Sequence, residues 1–502
     1  MRHRVRSWFE GVFAPRAAAD AGRLPAVAYL PAAAYLPAAA HLPQTAHSAK
    51  GRIRRRVLNE YEAMPPTPHA QAFTGAHGPR AAAAGGAWLT VRSTTLLAVL
   101  IAHPGHGAPT VEANPAVPPA PYRAPYLPAD DSDVLQDVPA ASDPVVMEMK
   151  SLRMAFDAAP KSLTAANQLA GAYVDYSRQI GDAHYAGYAE AVIAPWVNAA
   201  VPPAAALVTQ ATILQYRHQF REARDLLQTA LKAEPRNTQG WLVLGTLDMV
   251  QGDYRTAAQD CAQVTGTRVE VGLGCSANLR SYIGQARQSL AILRQMASDE
   301  RGAAPSYRAW IEGLAAESAE RVGDWTLAET HYRSALLLQP EDNFLLVAYA
   351  DFLLDRDRPR EVLPLLAEHT QSDTAFLRIA LAETALHSAQ AQRYTWIMAA
   401  RFEALRLRGS EYFGREESRF ALRLQHDPEA ALDLALRNWQ VQRAPWDARV
   451  VLEAALAAKQ PQAATPVLDF LDETHLEDPI IEPMARELRT QLGAATRTGT
   501  GK

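Results

Sequence analysis

Hydrophobic positions over 204–235 recur at helical spacing, with Leu226, Leu227, Ala230 and Leu231 on one stripe. The pattern breaks at 217–220, so the segment predicts two amphipathic helices around a turn. A shift of 34 residues brings Tyr254 onto Phe220 and Ala257 onto Ala223. A further 71 brings Trp325 onto Tyr254 and Ala328 onto Ala257, and Pro235 returns as Pro340 after 105. The dipeptides Gly181-Asp182, Gly252-Asp253 and Gly323-Asp324 keep the same spacing of 71, one unit of 34 plus one of 37. Glycine tolerates the left-handed conformation that ends one helix, and aspartate caps the amides that open the next. Continued at 34 from Ala328, the phase reaches Val362, Trp396, Ala430 and Ala464. A period of this length is the mark of stacked helix pairs.

Three units carry the pattern in full. One holds Trp241, Leu244, Gly245, Gly252, Tyr254 and Ala257; the unit before it has Ala211, Phe220, Ala223, Leu227, Ala230 and Pro235. A later one has Gly323, Trp325, Ala328, Tyr332, Ala335 and Pro340. These residues resemble the tetratricopeptide repeat (TPR) family across roughly 165–480. Units near 343–376, 377–410, 411–444 and 445–478 are degenerate versions. The resemblance implies an all-α, right-handed α-solenoid with a concave inner face, over 145–490. No unit can bury its apolar face alone, so such a stack is held by nearest-neighbour contacts. It also implies binding of a protein or peptide partner, and no catalysis.

The region ahead of the repeats has another character. Residues 1–90 carry a net charge of +7, against −11 for the rest, within a near-balanced total of −4. Leu-Pro pairs at 24, 30, 36 and 42 recur every six residues. Each proline lacks an amide donor and clashes one turn back, so no regular helix can form there. Ala and Pro bury too little surface to offset chain entropy, and 1–90 therefore reads as disordered, low-complexity chain. The proline density also opposes an amphipathic targeting helix.

Residues 91–108 have the form of a secretory signal, with Arg92 followed by the short apolar run Leu96-Leu97-Ala98-Val99-Leu100-Ile101 and a cleavage point after Ala108. Val91 fits an alternative bacterial start codon, which would make 1–90 translated upstream sequence. A Pro-rich linker spans 109–144, and 491–502 reads as a disordered tail. The competing reading of 91–108 is a hydrophobic patch in unstructured chain.

Composition removes several functions. Balanced charge argues against a polycationic nucleic-acid coat, and no nucleic-acid partner is expected. No run of 18 apolar residues suggests a spanning helix. Two cysteines exclude a Cys₄ metal site. Cys261 and Cys275 each lie seven residues from Arg268, on helices that a turn at 265–268 would set side by side, so they would bridge in an oxidising compartment. His103-Pro104-Gly105-His106 is a turn sequence, not a helical zinc site. Gly272-Leu273-Gly274 lacks the Lys-Ser/Thr of a phosphate loop. Glu317, Glu320, Asp351 and Glu453 read as solvated carboxylates. No cofactor is expected.

The first helix of each unit should line the concave face. Projecting the phase gives Trp310, Glu317, Glu320, Asp351, Arg378, Tyr412, Arg415, Arg419, Trp446 and Arg449, acidic in the middle and basic–aromatic towards the C-terminus. The four arginines are candidates for gripping an acidic segment of a partner. The family's Lys/Asn carboxylate clamp is not evident. The whole reads as an exported, periplasmic bacterial scaffold. A cytosolic adaptor, or a recognition or regulatory subunit of an envelope enzyme complex, is the alternative.

Overall fold

The computed structural model describes residues 144–180, 183–299, 303–407 and 414–499, so the N-terminal tract, the signal-like segment, most of the linker and Gly181-Asp182 lie outside the described residues. Among the described residues there is no strand. Twenty α-helices follow one another: α1 (Pro144–Ala158), α2 (Leu163–Ile180), α3 (His184–Val197), α4 (Ala204–Tyr216), α5 (Phe220–Ala233), α6 (Thr238–Val250), α7 (Tyr254–Thr267), α8 (Val269–Tyr282), α9 (Ala286–Asp299) and α10 (Pro305–Arg321). They continue as α11 (Trp325–Leu338), α12 (Asn343–Asp355), α13 (Pro359–Leu366), α14 (Asp373–Ala385), α15 (Ala391–Leu407), α16 (Gly414–Arg423), α17 (Pro428–Trp439), α18 (Pro445–Ala457), α19 (Thr465–Thr474) and α20 (Ile481–Gly499). From α2 to α19 they are antiparallel pairs stacked side by side, an α-solenoid. Helix α20 runs through 491–499, where composition suggested a disordered tail; Leu488 and Leu492 dock it on the last pair.

The pairs share one backbone signature. In each described turn within a pair from α4 onward, one residue adopts positive φ: His218, Gly252, Gly284, Gly323, Asp357, His387, His426 and Lys459. Five residues later a small or β-branched side chain is buried between the helices, at Ala223, Ala257, Ser289, Ala328, Val362, Ala431 and Ala464. Asp253 and Asp324 accept hydrogen bonds from the amides of Thr256 and Leu327, each at 3.1 Å, as their sequence context predicts. The pair α14/α15 departs from the rule. Its left-handed residue, His387, comes early, so Trp396 is 59% exposed while Met398 and Phe402 fill the interior. A fixed period of 34 therefore loses the phase at this unit and is one residue off at Ala430, which flanks the buried Ala431.

One junction is tighter than the rest. Arg268 alone separates α7 from α8 and serves both as the C-cap of the first and the N-cap of the second. Cys261 and Cys275 then face each other with Cα atoms 5.5 Å apart and form a disulfide. Gly272 and Gly274, read from sequence as no phosphate loop, have a steric purpose here. A Cβ on Gly272 would fall inside 3.0 Å of the Thr265 backbone, and one on Gly274 would enter the Trp310 ring. Closing a loop of 14 residues is worth roughly 3 kcal/mol on the chain-entropy model. The double variant Cys261→Ala/Cys275→Ala should lose about that much in urea denaturation, and an unchanged midpoint would show the bond to be energetically silent.

The helical body also closes on itself. The turns between paired helices in its first half receive the C-terminal third in sequence order. The Arg443 amide donates to Val250 O at 2.7 Å, and Tyr254 Oη donates to Arg443 O at 3.3 Å although 189 residues separate them. Phe470 lies against Gly252, and the His475 carbonyl would be 2.6 Å from a Cβ at Gly284. Phe470 also meets the rings of Tyr254 and Trp439, and Trp446 meets Tyr282 edge-on at 6.5 Å. One layer of pairs is stacked on another, and the inner face becomes a partly open hollow.

Candidate functional site

This hollow is a partly open cavity of about 140 Å³ walled by successive first helices of the pairs. Helix α10 gives Glu317, Glu320 and Arg321; α12 gives Phe344, Val347, Ala348, Asp351 and Asp355; α14 gives Thr374 and Arg378. Helix α16 adds Arg415, Glu416 and Arg419, and α18 adds Pro445, Trp446, Arg449 and Val450. Tyr332 of α11 and the segment holding Asp478, Ile480 and Ile481 complete the wall. Eight of the ten residues projected onto the inner face thus meet in one cavity. Tyr412 lies outside the described residues. Trp310 is corrected: it is 3% exposed and packs on Tyr307 and Gly274, because α8 covers α10 at that level.

The arginines read from sequence as receptors for an acidic partner are engaged within the protein. Arg378 is 2% exposed and donates to both oxygens of Asp351, at 3.0 and 2.6 Å, to Glu416, and to Thr374 O at 3.3 Å. Arg419 reaches Asp351 at 2.9 Å. Arg449 is bidentate on Asp355, at 2.6 Å for both contacts, and also holds Glu453 at 2.7 Å. Arg415 donates to Glu416 at 3.1 Å. Asp351 and Glu416 are held below the ordinary carboxylate range by these guanidiniums, although burial works against it. The acids are therefore not solvated faces, as composition suggested, but half of a buried lattice of charge. Asp351, Asp355 and Glu416 take arginine partners from other helices, which is why a periodic pattern could not pair them.

A different acid group sits at the α10 end. Glu317 is 5% exposed; Arg321 donates to one of its oxygens at 3.3 Å, and its Oε1 has no hydrogen-bond partner. Glu320 accepts the Tyr332 hydroxyl. Burial, with Asp355, Glu317 and Asp478 nearby, pushes the Glu320 carboxyl up to about 8. Asp478, whose carboxylate caps the amides of Ile480 and Ile481, is also raised, chiefly by burial. The cavity wall counts six carboxylates against five guanidiniums. Trp446, with Arg321 and Arg415 about 6 Å from its ring, forms part of an otherwise apolar floor with Phe344, Val347, Val450, Ile480 and Ile481. Among the described residues no group of three or more His, Cys, Asp or Glu side chains is arranged to hold a metal ion, and no helix is long and apolar enough to cross a membrane.

The fold is TPR-like. No protein-family model matches the sequence, and no curated protein matches it. Among solved structures the chain is similar to the APC/C hetero-tetramer Cut9–Hcn1, at 11% identity and TM-score 0.35, over 68% of this chain and 52% of that one. It is similar to the human IFIT1 dimer with m7Gppp-AAAA, at 13% identity and TM-score 0.36, over 71% and 86%. It is also similar to PilW, a type IV pilus biogenesis factor, at 14% identity and TM-score 0.28, over 56% and 97%. The chain spans about half the length of the Cut9–Hcn1 chain it matches. These likenesses are weak and concern the helical fold alone.

Proposed function

We propose that this protein is a non-catalytic scaffold that holds a segment of a partner protein in the cavity between its stacked layers, in the bacterial periplasm. The observation that carries the reading is the convergence of eight inner-face residues from α10, α12, α14, α16 and α18 on one cavity. A cavity with an apolar floor and a few fixed polar groups is the common form of a ligand site. The Cys261–Cys275 disulfide supports an oxidising compartment, since such bonds are rare in reducing cytosol.

The test is photo-crosslinking in the native cell. A photoreactive residue in place of Val347, which lines the cavity, should trap a partner protein, while the same residue in place of the outward-facing Trp396 should not. Equal trapping from both positions would contradict the reading. Alkylation of thiols in native extracts should leave Cys261 and Cys275 unmodified, and free thiols there would favour a cytosolic adaptor.

A further inference from the structure

We infer that the cavity, taken as the partner site proposed above, accepts an alkyl cation, a lysine side chain of the bound segment, at the carboxylates of Glu317 and Glu320. Three observations lead there. First, two of the five guanidiniums on the wall are committed: Arg378 has every donor engaged, and Arg449 spends its donors on Asp355 and Glu453. An anionic ligand at either would have to displace a bidentate internal pair. Second, the acceptor left over is a carboxylate oxygen. Glu317 lines the cavity, is 5% exposed, and its Oε1 is buried without a partner. A buried acceptor without a partner is costly, and an incoming N–H donor would recover that cost. Third, Trp446, Val347, Phe344 and Ile481 line the same cavity and give the apolar surface that an aliphatic stem requires.

The groups around Glu320 give the inference a sign in pH. It faces Glu317 on α10, which Arg321 holds, Tyr332 on α11 and Asp355 on α12, which is itself held by Arg449 of α18; Asp478 approaches from the segment before α20. With its carboxyl pushed up to about 8, Glu320 is mostly protonated at neutral pH. An arriving ammonium favours the ionised form, so binding should release a proton, and affinity should rise with pH through about 8, until the amine itself deprotonates near 10.4.

The probe is a blocked tripeptide, acetyl-Gly-Lys-Gly-amide, titrated calorimetrically into the full chain in two buffers of different ionisation enthalpy. Its norleucine counterpart isolates the charge, and acetyl-Gly-Glu-Gly-amide reverses it. The lysine peptide should bind at least about tenfold more tightly than norleucine, with proton release. Glu320→Gln should remove the proton release and weaken the lysine peptide by a larger factor than the norleucine peptide. Cadaverine, the free diamine, separates a small-molecule site from a side-chain site: binding of cadaverine without the lysine peptide would overturn the side-chain assignment. Equal affinity for lysine and norleucine, tighter binding of the glutamate peptide, or no binding of any probe would each overturn the inference. Trapping from position 347 would survive all of these, so the scaffold reading fails separately.

Discussion

Replacing Arg378 by methionine is expected to destabilise the helical body by about 3–5 kcal/mol, the largest effect of any single charge in the molecule. The reason lies in where its partners are. Asp351 comes from α12 and Glu416 from α16, so one side chain on α14 ties three consecutive pairs through their inner helices. Its removal leaves two carboxylates facing each other in a site where Arg378 itself is 2% exposed. Arg419 and Arg415 remain beside them and limit the loss but cannot reach both at once. A hydrophobic isostere of the whole triad could be neutral, because burying charge is costly in the first place. The triple change Arg378→Met/Asp351→Leu/Glu416→Leu should therefore recover a good part of the loss. Urea denaturation followed by circular dichroism measures both. A single variant within about 0.5 kcal/mol of the parent would show that the pairs contribute nothing net.

The second large effect belongs to Gly272. Alanine there should cost at least about 3 kcal/mol, at the top of the range for an added methylene in a packed interior. Most overpacking is relieved by rotating a side chain. Here the nearest atoms include the Cα and amide nitrogen of Thr265, so backbone must move. The one-residue link at Arg268 prevents α7 and α8 from simply separating. Trimming the side chain with Thr265→Ala should not rescue the variant, because the obstacle is not the hydroxyl alone. The strain should also appear chemically. Gly272→Ala should slow closure of the Cys261–Cys275 bridge and leave alkylatable thiols, whereas full oxidation at parental stability would refute the steric account.

How much of this was legible follows from what periodicity encodes. Nearest-neighbour stacking leaves a local trace, so Gly252-Asp253 and Gly323-Asp324 announced their turns and Ala223, Ala257 and Ala328 their buried seats. The same turn is made at His218, Asp357, His387, His426 and Lys459, where the left-handed conformation is imposed on residues that carry a Cβ. Such positions look ordinary in sequence, and the degenerate units are degenerate for that reason. Phase projection still brought eight residues to one cavity, because the first helix of each pair keeps one face inward. It could not see that Arg449 would meet Asp355 from 94 residues away. Nor could it see that the second layer would rest on the turns of the first. Those contacts depend on curvature accumulated over several units, to which no single repeat holds the key.

That stacking of layers is the claim on which the cavity and its proposed use depend, and one distance tests it. Spin labels on cysteines introduced at Arg255 and Val441, both exposed, would flank the contact between Tyr254 and Arg443, and the native cysteines are bridged and will not take label. Pulsed electron paramagnetic resonance on the full chain should return one short, narrow distance. A long or broad distribution, as an open superhelix would give, would contradict the account.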